Sequence, residues 1–80
     1  MMTLYFFDTR DDDKFSQDDL GVSFPNLEAA KLEATRSLAE LARNVIPGGL
    51  RHVLIIEVRD ALGPVLKAMM HFEAVILRSE

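Results

Sequence analysis

Few side chains in this 80-residue sequence have types suited to chemistry, and they fall into two groups. The first is six aspartates within the first twenty residues: Asp8, Asp11, Asp12, Asp13, Asp18 and Asp19. Clustered carboxylate oxygens suit a hard cation such as calcium, but the Asp-x-Asp-x-Asp-Gly order of a calcium loop is missing. The second group is the only two histidines, His52 and His71. Strand pairing could bring their rings together, and Asp60 or Glu73 could then supply a third metal donor. Unpaired surface histidines are far commoner, so no metal site is expected. Ser16, Ser23, Ser37 and Ser79 lack the Gly-x-Ser-x-Gly setting of an activated serine. The paired carboxylates lie in what reads as an open turn, where burial cannot raise a pKa for acid catalysis. Gly48-Gly49 follows a helical pattern instead of opening one, unlike a phosphate loop. The chain therefore offers no catalytic residue, no cofactor-binding residue and no evident small-molecule site. It reads as a non-enzymatic protein.

Composition narrows the classes further. Zero cysteine excludes disulfides, thiolate nucleophiles and cysteine-based metal centres, and fits a cytoplasmic protein. No apolar run approaches the roughly 18–20 residues of a membrane span, and the N-terminus lacks the cationic region of a secretory signal. The net charge of −4 and a pI near 5.0 argue against nonspecific nucleic-acid binding. Residues 1–20 carry six acids and two bases, whereas residues 21–80 carry seven of each. The acidic bias is thus confined to the first hairpin. Asp11, Asp12, Asp13, Asp18 and Asp19 form a candidate patch that could steer a basic partner. The simpler reading is a solvated turn that keeps a sheet edge from aggregating.

The elements that position these residues are legible in outline. Thr3 to Thr9 reads as a strand, with Leu4 and Phe6 on one face and Tyr5 and Phe7 on the other. Both faces are apolar, so alternation leaves the inward face open. Arg10 to Lys14 is a turn. Phe15 to Phe24 is a weaker strand, interrupted near Asp18-Asp19 and Gly21 by a bulge or second turn. Asn26 suits a helix N-cap, and Glu28 suits the first turn. Leu27, Ala30, Ala34, Leu38, Leu41 and Val45 then form one apolar stripe, which Pro47 and Gly48-Gly49 end near Val45. Leu32 falls outside the stripe and, with Ala39, Ala42 and Ile46, suggests the rim of an interface. Arg51 to Asp60 and Val65 to Phe72 form an antiparallel hairpin. Residues 73–80 could extend the last strand, dock on the core or pair with a second chain.

The sum is a single α+β domain over residues 1–80, in two layers and the order β-β-α-β-β. One helix packs on one face of a four-stranded antiparallel sheet. One helix cannot cover both faces, so the other is expected to hold Val53, Ile55, Val65 and Met69 beside one side of the aromatic strand. That surface is too apolar to leave wet comfortably. The candidate interface residues are therefore Tyr5, Phe7, Leu32, Val53, Ile55, Val65 and Met69. The expected partner is a second copy or another protein.

The layout resembles a family of small uncharacterised bacterial domains. The resemblance rests on Tyr5-Phe6-Phe7, the turn Arg10-Asp11-Asp12-Asp13 and the step Asp19-Leu20-Gly21. It continues in the helix entry Phe24-Pro25-Asn26-Leu27-Glu28-Ala29-Ala30, the strand Ile56-Glu57-Val58-Arg59-Asp60 and Gly63. It spans nearly the whole chain and supports the fold, but brings no established activity. A histidine is common in that family after the two phenylalanines. Asp8 stands there in this chain, so no role of that imidazole carries over. A looser similarity is to antitoxins of toxin–antitoxin pairs, in which a hairpin also precedes a helix opening with Leu-Glu-Ala-like residues. Their Leu-Pro-Gly-Cys-like stretch is absent, and the chain has no room for a separate DNA-binding element. Two functions follow as expectations: a homodimeric or adaptor-type interaction module, or an antitoxin-like regulator that binds a basic protein through the acidic hairpin.

Overall fold

A computed structural model describes residues 1–79. It contains strands β1 (Thr3–Asp11), β2 (Lys14–Ser16) and β3 (Val22–Phe24), helix α1 (Leu27–Val45), and strands β4 (Arg51–Asp60) and β5 (Gly63–Glu73). All strand pairs are antiparallel. The α+β two-layer arrangement is as the sequence reads, but the sheet has five strands, not four. The single weak strand expected over residues 15–24 is two short ones on the same edge of β1. β2 pairs with Thr9–Asp11, and β3 pairs with Thr3–Tyr5. Residues 17–21 leave the sheet between them. On its other side β1 pairs with β4, and β4 pairs with β5.

The helix forms where its stop and start signals lie. The Asn26 side chain accepts a hydrogen bond from the Ala29 N–H at 2.9 Å, satisfying one free donor of the first turn. At the other end the Ile46 N–H still reaches the Ala42 carbonyl, and Gly48 then takes a positive φ. The buried row is Ala30, Ala34, Leu38 and Ala42, one i+4 ridge. Leu41 and Val45 only flank it, and Leu27 is exposed. Ala42 thus belongs to the core and not to an outer band with Leu32. Three alanines on the ridge allow the helix to sit close to the sheet.

Beneath the helix lie Tyr5 from β1 and Leu54, Ile56 and Val58 from β4. Phe7 and Phe24 pack against this cluster, their rings edge-on at 5.9 Å. The inward face of β1 is therefore the one carrying Tyr5 and Phe7. The two-residue turn Ala61-Leu62 joins β4 to β5, and Asp60 stabilises it by accepting from the Leu62 N–H at 2.8 Å. Past β5 the Ala74 N–H donates to the Leu50 carbonyl, and the chain continues to Ser79 without regular structure. The final residue of the expected 73–80 tail lies outside the described residues.

Candidate interaction surface

The register defines what the helix-free face presents. Asp8 lies opposite Glu57, and Glu57 opposite Lys67. In the next row Phe15, Arg10, Ile55 and Met69 are neighbours across four strands. Phe6 lies opposite Arg59, whose guanidinium stands 4.5 Å from the ring centroid. Of the sequence-predicted interface set, Val53, Ile55, Val65 and Met69 lie on this face. Val53 and Ile55 are half-buried; Val65 and Met69 are exposed. Tyr5 and Phe7 are not there: they point to the helix, and Tyr5 is 6% exposed. Leu4 and Phe6 take their place. The face is consequently a mosaic, with charged residues between its apolar ones. It contains a shallow cleft of about 170 Å³ lined by Asp8, Arg10, Phe15, Ile55, Glu57 and Lys67. Leu32 stands apart on the helix, 52% exposed beside Glu28, Lys31 and Thr35.

The edges of the sheet differ more than its faces. The β1 side ends in two strands of three residues each, separated by the excursion. Short, interrupted strands give another chain little to pair with. The opposite edge is β5, eleven residues long, which among the described residues pairs with β4 alone. Its formal charges are Lys67 near the middle and Glu73 at the end. Val65 and Met69 line one face of it, and Leu66, Ala68 and Met70, packed on the core, line the other.

The acidic residues are largely engaged within the fold. The Asp18 carboxylate accepts from the backbone N–H groups of Phe7, Leu20 and Gly21, each at 3.0 Å. The Asp18 N–H in turn donates to Asp8 Oδ1 at 2.9 Å. Arg59 closes the group, donating from Nε to Asp8 Oδ2 and from Nη2 to the Asp18 carbonyl, both at 2.8 Å. Backbone donors, Gly21 and Phe7 foremost, hold the Asp18 carboxyl below its ordinary pKa. Burial alone would raise Asp8, but the Arg59 and Asp18 hydrogen bonds outweigh it and lower that carboxyl too. Gly21 has φ +72°, and a Cβ there would lie 2.9 Å from the Tyr5 carbonyl oxygen.

A second cluster forms where the β1–β2 turn meets the start of β4. Asp12 and Val53 exchange hydrogen bonds: the Asp12 N–H donates to the Val53 carbonyl, and the Val53 N–H to Asp12 Oδ1, both at 2.9 Å. His52 Nε2 contacts Asp11 Oδ1 and lies 3.3 Å from Asp12 Oδ2. Asp13 is exposed, and Asp19 is exposed and accepts from Gln17 at 3.2 Å. The five acidic-patch candidates are therefore divided among separate tasks. His52 and Arg59 have no signal in the local sequence, because their partners lie 41 and 51 residues away. The histidines themselves do not meet. His52 shares a face with Leu54 and Ile56, while His71 lies opposite Val53 on the helix-free face.

A family model described as a domain of unknown function, DUF6894, matches residues 4–71, from the first strand almost to the end of the last. The chain belongs to this family. The matched span takes in the helix and nearly all of every strand, so the DUF6894 domain corresponds to the fold described above. No curated protein and no solved structure shows significant similarity to the chain. Among the described residues no helix is long and apolar enough to cross a membrane.

Proposed function

We propose that this DUF6894 domain is a protein-interaction module that self-associates through the outer edge of β5. The observation that carries the proposal is the unpaired eleven-residue edge. At about 3.4 Å per residue it offers some 35 Å of free backbone donors and acceptors. A twofold antiparallel pairing of two β5 strands joins the same patch on both copies, the usual geometry of a dimer. With Lys67 and Glu73 as its only formal charges, β5 is less strongly blunted against self-pairing than a Lys- or Glu-studded edge. Val65 and Met69 would then gain cross-strand neighbours on the helix-free face of the joint sheet. The mosaic helix-free face is better suited to contacting a further polar partner than to forming the dimer itself.

The alternative docking surface, the acidic hairpin, has weaker support. Asp11, Asp12 and Asp18 already engage His52, Val53 and backbone donors, leaving chiefly Asp13 and Asp19 to meet a basic protein. Sedimentation equilibrium from about 1 to 200 µM tests the proposal directly. The expected result is a monomer–dimer equilibrium that Met69→Lys shifts to monomer. A concentration-independent monomer mass across that range would sink it.

A further inference from the structure

We infer that Asp11, Asp12 and His52 form a binding site for a divalent metal ion of the zinc class. Their donor atoms, one imidazole nitrogen and two carboxylate oxygens, all lie within 4.8 Å of one another. They come from two segments 41 residues apart and are brought together by the β1–β4 register. The His52 Nε2 to Asp12 Oδ2 distance is 3.3 Å. Two donors about 2.0–2.1 Å from one tetrahedral zinc stand about 3.3 Å apart, so this pair already has the spacing of metal ligands. His52 and Asp11 touch directly, so the ion would enter by replacing that hydrogen bond.

Two further features hold the donors in place, and a third leaves room for a cation's charge. Asp12 adopts φ 54°, in the left-handed region that non-glycine residues seldom occupy. The backbone exchange with Val53 holds it there and uses Oδ1, which turns Oδ2 toward the imidazole. Such outer hydrogen bonds to a liganding carboxylate are a regular part of metal sites. The charge balance is also open. Two carboxylates converge on one imidazole, and among the described residues no Lys or Arg nitrogen lies within 4.0 Å of either. A dication would neutralise the pair. The imidazole donor favours zinc, cobalt or nickel over calcium or magnesium. The side chains are 18%, 28% and 47% exposed for His52, Asp11 and Asp12, so water can complete the coordination.

The test is calorimetric titration of the untagged full chain with zinc, and separately with calcium. Zinc should bind at a single site. His52→Ala and Asp12→Asn should each weaken it by at least about tenfold, while His71→Ala leaves it unchanged. Calcium should compete poorly. Because Asp12→Asn can disturb the turn, the ring nitrogens of both histidines are followed by NMR in the unmodified protein. Zinc should move the His52 signals and leave those of His71 in place. No zinc binding at about 1 mM, or a response confined to His71, would overturn the site and leave His52 as an ion-pair partner that pins the turn to β4.

Discussion

The Asp18 carboxylate replaces a stretch of sheet. Between β2 and β3 the chain leaves β1, and the Phe7 N–H would lose its partner there. Asp18 supplies that partner and also caps the N–H groups of Leu20 and Gly21. The interruption near Asp18-Asp19 and Gly21 is visible in the sequence, because Gly and paired Asp are poor strand formers. Its stabilisation is not, because Asp8 and Arg59 lie 10 and 41 residues from Asp18. Two predictions belong to this scale. Asp8 and Asp18 have folded pKa values below the ordinary 3.8, so their ionised forms favour the native state. That stability is fully present above about pH 5 and is lost as pH falls through 3.8 toward the lowered folded values. Urea denaturation as a function of pH should show this fall, and Asp18→Asn should flatten it. Gly21→Ala should cost about 1–3 kcal/mol, since it adds a Cβ against the Tyr5 carbonyl at a positive φ. A midpoint unchanged from wild type would show that the excursion readily rearranges.

At the scale of elements, α1 was the most legible part of the chain. Asn26, the apolar stripe and Pro47-Gly48 mark its limits, and all three signals are local. What periodicity could not decide was how the helix meets the sheet. The 100° rule groups Leu27 with Leu41 and Val45, but a ridge of small side chains lies closer to the twisted sheet surface, so Ala42 is buried and Leu27 is not. The β1 strand poses the same difficulty with a period of two: apolar residues on both faces gave no preference, and packing under the helix selected Tyr5 and Phe7. If the alanine ridge sets the helix-to-sheet distance, Ala34→Leu should destabilise the domain by about 1–3 kcal/mol by overpacking a position that is fully buried. Asn26→Ala should cost about 1 kcal/mol through loss of the cap alone. Thermal melts of the two variants would separate a core effect from an end effect, because only the first should also alter the near-ultraviolet signal of Tyr5, which lies beneath the helix.

The molecule is long and thin, 58 × 21 × 17 Å, and among the described residues eight apolar ones form its buried core. A shape of this kind keeps much of its surface wet, and a domain this small has little stability to spare. Of the fifteen large apolar side chains exposed among the described residues, five lie on or just beyond β5. Val65 and Met69 lie on β5, and Val75, Ile76 and Leu77 follow in the segment just beyond it, 68%, 68% and 92% exposed. In an antiparallel β5–β5 pair the segment after Glu73 of one copy would run past the Ala61-Leu62 turn of the other, so one association would flank both groups with the partner's chain. None of this was legible residue by residue. The sequence showed apolar strands with two unsatisfied faces, and only the strand order placed β5 at an edge. If association adds stability, the melting temperature must rise with protein concentration, because a partner that binds only the folded form stabilises it by mass action. A hundredfold increase in a dimer's concentration contributes up to about 2.7 kcal/mol per mole of interface. Val65→Lys and Met69→Lys should abolish the concentration dependence while leaving the dilute-solution melt near that of wild type, since both side chains are already exposed in the monomer. If the variants instead lower the melt equally at every concentration, these side chains support the fold of the single chain, and the outer edge of β5 is not where two copies meet.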